Sequence, residues 1–148
     1  MTTIRGFELP DHLYYFIEKH VWIAPQDGGL ARLGMTQVGY HLLHDTLVAI
    51  SIQPKVVGMA VSKGKSIAMV ESLKYIGPIP APFAGVVERI NNMVQVEPDL
   101  AAADPYGAGW VAELRASDWE SAAAGLLTGE AAMTAYRALL TAQNISRE

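Results

Sequence analysis

The stretch IAMVESLKYIGP, residues 67–78, decides which fold the sequence predicts. An apolar run from Ile67 to Leu73 is typical of a strand, and Lys74 follows it where Gly77 and Pro78 indicate that the chain turns over. A lysine at a hairpin tip extends its stem into water, where an enzyme can acylate the amine. On this local sequence alone, an ordinary solvated turn lysine is the simpler interpretation of Lys74.

Short strand-like runs separated by turn residues lie on both sides of this hairpin. They precede it at 13–16, 20–23, 30–34, 46–52 and 57–61, and one follows it at 85–91. Gln37 to His44 fits a short helix about as well as an extended run, and our prediction is a helix. A unit of strand, polar turn and strand occurs twice, at 59–73 and 86–96, which suggests two quasi-equivalent halves. Short strands at this spacing predict a mainly β fold, a sandwich or flattened barrel.

The two ends of the chain differ from this body. Residues 1–11 look like an N-terminal arm, and the Ala-rich C-terminal part predicts two helices. Asp118 can cap the first helix and Gly125 can end it, whereas 129–143 has apolar residues at the spacing of an amphipathic helix. Because no low-complexity linker separates these parts, we expect a single domain over 1–148, with a β body at about 13–114 and a helical segment at about 117–143.

Composition excludes several functional classes. The chain has 148 residues, 51% of them hydrophobic and 18% charged, so that disorder is not expected. A net charge of -4 argues against a general nucleic-acid binder. The uncharged stretches are too short to cross a bilayer and the N-terminus lacks the apolar segment of a signal peptide, so we expect a cytoplasmic protein without membrane contact. Because there are no cysteines, any sulfur redox chemistry must come from an attached or bound group.

Ordinary catalytic and metal-binding patterns are missing from the sequence. The four histidines are His12, His20, His41 and His44, and only the last two could share a helical face. No third ligand occurs at a recognisable spacing, so we expect no metal site and interpret the histidines as structural or solvated. No glycine-rich phosphate loop and no nucleophile elbow is visible, and we predict no catalytic residue. Lys74 is left as the residue with a possible chemical role.

Motifs along the chain agree in order and spacing with one known family. They are Val70 to Lys74 followed by Ala81 to Val87 and Asn91, His20-Val21-Trp22, Gly34-Met35-Thr36, Val57-Gly58 with Val61 and Gly64, and Asp104-Pro105-Tyr106-Gly107-Ala108-Gly109-Trp110. Taken together, they resemble the glycine cleavage system H protein family. The resemblance runs from about Leu13 to Leu114, and the helical tail matches in position more than in sequence.

The resemblance implies a carrier protein rather than an enzyme. Members of the family are hybrid barrel-sandwich proteins, with short helices and a C-terminal helix, that carry lipoic acid in amide linkage on the hairpin lysine, here Lys74. The arm would supply the redox-active sulfurs that a cysteine-free chain lacks, and tethering would give a high effective concentration at each partner's active site. Lipoylation enzymes are expected partners, and we expect a monomer.

Three residues near Lys74 in the family pattern are expected to support the arm. Ser72 belongs to the Glu-Ser-x-Lys context, and Glu71 would form part of the surface that the attaching enzyme reads, unless it is an ordinary solvated acid. Gly85 would permit a special backbone conformation or a close approach beside the hairpin. The glycine-rich 104–110 segment is interpreted as architectural, with Asp104 bonding the backbone two residues on and Trp110 beginning the strand that inserts into the core.

The resemblance fits two branches of the family. In glycine cleavage, the arm takes an aminomethyl group from a decarboxylase to an aminomethyltransferase and is reoxidised by dihydrolipoyl dehydrogenase. In the H-like lipoate-binding proteins of sulfur oxidation, it carries sulfur intermediates for a heterodisulfide-reductase-like complex. The apolar run Ile76 to Pro80, the basic Lys63 and Lys65, and His44-Asp45 in place of the usual Gly-Asp depart from the common pattern, and they tilt our prediction slightly to sulfur oxidation. An unmodified interaction module is the third hypothesis.

Overall fold

The strands of the body form two facing sheets. In the computed structural model, which describes residues 2–43 and 47–147, the larger sheet has the order β12-β3-β4-β5-β11-β10-β7. Its strands are β3 (Tyr14–Phe16), β4 (Val21–Pro25), β5 (Leu30–Met35), β7 (Ala60–Val61), β10 (Gly85–Ile90), β11 (Ala112–Ala116) and β12 (Leu127–Thr128). Every pairing in it is antiparallel. The predicted mainly β fold is confirmed.

The smaller sheet carries the hairpin that the sequence predicted. It consists of β6 (Leu47–Ser51), β8 (Ser66–Ser72) and β9 (Ile76–Pro80), with β8 in the centre. Exposed and buried positions alternate along most of β8 and β9, as expected when one face of a sheet meets the core, but Ile67 and Ala68 are both buried, as are Ile79 and Pro80. His44, Asp45 and Thr46, at the ends of the predicted helix and strand, lie outside the described residues.

Apolar side chains between the two sheets form the main core. Val70 and Ile79 of the smaller sheet belong to the same buried cluster as Ile23, Leu33 and Leu114 of the larger sheet. Each of these five side chains is at most 1% exposed. The base of the hairpin is therefore anchored in the core of the protein.

A glycine and a tryptophan face each other where the resemblance placed family motifs. Trp22 on β4 pairs with Gly34 on β5, and a Cβ added to Gly34 would lie 2.8 Å from the indole Nε1 of Trp22. Because only a glycine leaves room for the ring to lie over the neighbouring strand, these two residues are required together. Trp22 is fully buried.

The first residues form a folded hairpin, so the prediction of a simple arm was wrong. β1 (Thr2–Ile4) and β2 (Phe7–Leu9) pair antiparallel through a turn at Arg5 and Gly6, where φ is 51° and 88°. Buried side chains of this hairpin join a second cluster with the C-terminal helix α5 (Gly129–Ala142): Ile4, Phe7, Leu9, Ala132, Met133, Tyr136 and Leu140. The N-terminus is held by apolar burial against α5.

Short helices connect the strands. α1 (Gln37–Leu42) confirms the predicted helix, and the Thr36 hydroxyl caps it by accepting a hydrogen bond from the Gly39 amide at 3.2 Å. The others are α2 (Met93–Val96), α3 (Pro98–Ala103) and α4 (Trp119–Ala124). Since Met93–Val96 is helical, the second strand–turn–strand unit predicted at 86–96 was wrong.

The 104–110 segment is a compact turn, and one detail differs from our expectation. The Asp104 carboxylate accepts a hydrogen bond from the Ala108 amide at 2.9 Å, four residues on rather than two. Trp110 is only half-buried; the guanidinium carbons of Arg32 and Arg89 lie 4.5 Å and 5.4 Å from its ring centroid. Trp110 thus packs against the second apolar cluster and supports two arginines on its ring. The strand that follows it, β11, lies inside the larger sheet between β5 and β10, as expected.

Candidate functional site

The β8–β9 hairpin ends in a tight tip that presents Lys74. Glu71 pairs with Ile76 as the last rung of the ladder, and the Ser72 amide donates a hydrogen bond to the Tyr75 carbonyl oxygen at 2.7 Å. Leu73, Lys74 and Tyr75 form the connection between the strands. The sequence thus placed Lys74 correctly at the turn.

Ser72 holds this turn from inside. Its side chain is only 6% exposed, and its hydroxyl donates to the Tyr75 carbonyl oxygen at 3.3 Å. The Lys74 amide in turn donates to the Ser72 hydroxyl oxygen at 3.4 Å. A hydroxyl that bridges both sides of a turn restricts its backbone, as serine does in other tight turns.

The Lys74 side chain is exposed and extends from this fixed backbone. Among the described residues, it makes no ion pair or side-chain hydrogen bond. Lys63, by contrast, places its ammonium 4.9 Å from the centroid of the Phe16 ring. The amine at the hairpin tip is therefore available to an enzyme that acylates lysines.

Large apolar side chains surround the lysine. Leu73 is 76% exposed, Tyr75 55% and Ile76 62%, values that are unusual for such residues. The Tyr75 ring folds back over Gly77, whose position has no room for a Cβ beside the Tyr75 hydroxyl. An apolar collar, which we define as Leu73, Tyr75 and Ile76, thus encircles the tip.

Lys63, Lys65 and the run Ile76 to Pro80, whose departure from the common pattern tilted the prediction to sulfur oxidation, do not lie together on one surface. Ile79 and Pro80 are buried, so only Ile76 and Pro78 of that run are exposed. Lys63 and Lys65 precede the start of β8, about 20 Å from the tip at the usual rise per residue of a strand. The strand separates charges that are close in the sequence.

A cavity of about 350 Å³ lies beside the tip. Tyr75 and Pro78 line it from the hairpin, and Glu18, Lys19 and His20 line it from the larger sheet's side. Burial lowers the pKa of His20 to about 4, and its Nδ1 lies 3.0 Å from the Tyr136 hydroxyl. His20 is therefore neutral at physiological pH, and the charges of the wall are those of Glu18 and Lys19.

The other two expected supporting residues have different surroundings. Glu71 is exposed at the end of β8, next to the tip. Gly85 lies on β10 in the larger sheet, where a Cβ would collide with the Arg115 carbonyl oxygen of β11. The expected close approach at Gly85 is present, but it joins β10 to β11, and Lys74 is carried by the other sheet.

Two negative findings complete the description of the site. No cluster of three or more histidine and acidic side chains that could hold a metal ion occurs among residues 2–43 and 47–147. Within the same residues, no helix is both long and apolar enough to cross a membrane.

Fold and site together define a class of protein. Two facing sheets with an exposed lysine at the tip of a hairpin form a domain of the barrel-sandwich type. A family model described as Glycine cleavage H-protein matches residues 13–138. The chain belongs to this family, whose members are lipoyl carriers with a lipoate attached covalently to a lysine.

Individual relatives match over most of their length. Glycine cleavage system H protein 2 of Aquifex aeolicus is 35% identical over 142 residues, which is 96% of this chain and 86% of that protein. A probable glycine cleavage system H protein 2 of Sulfolobus acidocaldarius is 33% identical over 99% of this chain and 97% of its own. The crystal structure of a glycine cleavage system H protein from Mycobacterium marinum superposes with a TM-score of 0.72 at 30% identity, covering 92% of this chain and 98% of that one.

Proposed function

We propose that Lys74 carries the lipoyl group and that the chain acts as a swinging-arm carrier between partner enzymes. The observation that carries this proposal is the exposed lysine, without an ion pair among the described residues, at the tip of a hairpin whose base is buried in the core. The rigid hairpin fixes the origin of the arm, while the lysine stem and the attached group remain free to move between active sites.

The residues at the tip fit such an attachment. Lipoylation forms an amide between the Lys74 Nζ and the lipoyl carboxyl carbon, and the bound group supplies a dithiolane to a chain without cysteines. Ser72 holds the backbone on which the amine is presented, and Glu71 offers a carboxylate on the surface next to it. A partner enzyme that binds the hairpin tip can bury the apolar collar and exclude water around Lys74.

For the pathway, we favour service to a heterodisulfide-reductase-like complex of sulfur oxidation. Two observations support it. The collar is strongly apolar, and the relatives include H proteins numbered 2, 3 and 5 from a single Aquifex aeolicus strain. Several carriers in one organism are expected when some of them serve partners outside a single pathway. Lys63 and Lys65 do not support the sulfur-oxidation assignment, because both lie far from the hairpin tip.

Glycine cleavage is the second candidate function. It is favoured by the names of the relatives, among them the glycine cleavage system H protein of Mycobacterium leprae, 36% identical over 90% of this chain. In this reading the partners are the decarboxylase, the aminomethyltransferase and dihydrolipoyl dehydrogenase.

Attachment is tested by expression with a lipoylation system, followed by intact mass measurement and peptide mapping. We expect one lipoyl group on the wild type and none on Lys74→Arg, since a guanidinium is not acylated by this chemistry. Lys65→Arg is the matched control and should remain modified. A lipoyl group that persists in Lys74→Arg would refute the proposal, and an unmodified wild type would favour the interaction module.

The two pathways are separated with the lipoylated protein. Aminomethyl loading from glycine is measured with the decarboxylase and compared with a conventional H protein. If the protein serves sulfur oxidation, we expect poor aminomethyl loading together with a sulfur adduct on the reduced arm, detected by mass spectrometry. Loading at a rate comparable to the conventional protein would reject sulfur oxidation.

A further inference from the structure

The two strands β6 and β8 separate at the end of the smaller sheet that is far from Lys74. Their pairing runs from Leu47 opposite Ser72 to Ser51 opposite Met69 and stops there. The chain then leaves the sheet, and the Ile52 amide donates to the Gln95 side-chain oxygen at 2.9 Å. In the part of the chain that the structure describes, the first residues of β8, 66–68, pair with β9 on one side and with no strand on the other.

A groove of about 300 Å³ occupies the place that β6 leaves. The start of β8 forms one wall and the 54–59 segment forms the other. This second wall is fixed to the larger sheet, since the Gly58 amide donates to the Val87 carbonyl at 2.7 Å and the Val87 amide donates to the Met59 carbonyl at 3.0 Å. The groove is therefore a rigid feature of the fold.

The charges of the groove are opposite in sign to the net charge of the chain. Lys55 and Lys65 line it, and no acidic residue does so among the described residues. Neither lysine has an ion pair within the described residues, whereas three of the six arginines, Arg32, Arg89 and Arg115, pair with glutamates. Two uncompensated cations at one groove in a protein with a net charge of -4 favour an anionic partner.

The groove also offers apolar contact. Its deep part is formed by Val56 and Ile67, which are 6% and 4% exposed, and Met59 at its rim is 38% exposed. Met69 contributes a second, partly buried thioether side chain. Methionine side chains adapt to the shape of a ligand, as at other peptide-binding surfaces.

We infer that this groove binds an extended acidic segment of a partner protein. The segment adds as a strand beside 66–68 in line with β6, places carboxylates at Lys55 and Lys65, and turns alternate apolar side chains toward Met59 and Met69. The inference deepens the proposed function and rests on it. A partner held about 20 Å from Lys74, the length of β8, can retain the carrier while the arm enters its active site.

The test uses the full chain and a defined probe. Isotope-labelled protein is titrated with acetyl-Glu-Val-Glu-Val-Glu-amide, and the backbone amide shifts are followed by NMR. We expect shifts concentrated at 54–59 and 65–69 that weaken with added salt. The peptide in which lysine replaces each glutamate should leave these amides unchanged.

Paired variants separate groove binding from general charge effects. Lys55→Glu combined with Lys65→Glu should weaken binding of the acidic peptide by about tenfold or more. Arg137→Glu combined with Arg147→Glu alters two exposed residues and changes the net charge by the same amount, so it is the control that should bind like the wild type.

Three results would overturn the inference: no shift at about 5 mM peptide, equal binding of the lysine peptide, or equal loss in both double variants. Lipoylation is measured on the same proteins and should be the same in all of them. Its absence from the wild type would contradict the proposed function, whereas the titration reports on the groove alone.

Discussion

Removing the Ser72 hydroxyl should loosen the hairpin tip much more than it destabilises the protein. In Ser72→Ala, the hydrogen bonds to the Tyr75 carbonyl at 3.3 Å and from the Lys74 amide at 3.4 Å are lost. Both are long, and the Tyr75 carbonyl keeps its bond from the Ser72 amide at 2.7 Å. The freed Lys74 amide can form a hydrogen bond to water instead. We therefore expect the loss of the two bonds to lower the free energy of unfolding by only about 1 kcal/mol and the Tm by about 2–4 °C.

The assay compares local and global effects. Ser66→Ala is the matched control, since the Ser66 hydroxyl bonds to the Ala68 carbonyl at 3.1 Å at the far end of the same strand. Amide hydrogen exchange at Lys74 should accelerate in Ser72→Ala only, and the rate of lipoylation at Lys74 should fall with it. If Lys74 exchange and lipoylation are the same in both variants, Ser72 does not support the arm.

Four further outcomes are expected. Glu71→Ala should be lipoylated more slowly than the wild type if the attaching enzyme reads this carboxylate, and an unchanged rate in a mass-based time course would show that it does not. Gly85→Val should lower the free energy of unfolding by about 1–3 kcal/mol, because the valine side chain meets the backbone of β11. The folded variant should still be lipoylated. Loss of lipoylation without loss of stability would contradict a purely structural role of Gly85. Trp22→Ala should lower the free energy of unfolding by about 3–5 kcal/mol and Trp110→Ala by clearly less, since of these two residues only Trp22 is fully buried. Equal decreases in denaturant unfolding would contradict the assigned burial. Because burial lowers the pKa of His20 from 6.5 to about 4, the unfolded chain binds a proton more readily, and the free energy of unfolding should fall as the pH drops from about 6.5 toward about 4. In His20→Asn, which tolerates the left-handed backbone at this position, the free energy of unfolding should depend less on pH over that range. An unchanged pH dependence would show that His20 is not responsible.

The hairpin could be predicted because its signals are local. Apolar residues, a turn and two prolines follow one another within residues 67–80, and strand formation at such a site depends little on the rest of the chain. Asp118 as a helix cap was predictable for the same reason, and it accepts a hydrogen bond from the Glu120 amide at 3.2 Å. The order of strands in the sheets needed the family resemblance.

What the sequence did not reveal depends on contacts between distant residues. The Asn91 side chain donates hydrogen bonds to the Ala108 and Trp110 carbonyl oxygens at 2.9 Å and 2.7 Å, and a one-turn helix follows, which four residues of sequence cannot distinguish from a strand. The N-terminal hairpin is stabilised by α5 at the other end of the chain, so its own residues gave only the signal of Gly6. The positions of Arg32 and Arg89 on the Trp110 ring likewise come from strands distant in sequence.

Distance along the chain and distance in space diverge most at the functional hairpin. Lys65 and Lys74 are close in sequence, yet the seven residues of β8 between them set the two lysines at opposite ends of a strand. A single basic face around Lys74 is therefore excluded. The two ends of the hairpin have different properties: an exposed amine in an apolar collar at one end, and the amines of Lys55 and Lys65 over a groove at the other. An arm that must visit several active sites needs freedom at its origin, whereas a partner that retains the carrier needs a fixed surface. Because one strand connects both ends, substitutions at the groove should alter partner affinity without changing the chemistry available at Lys74.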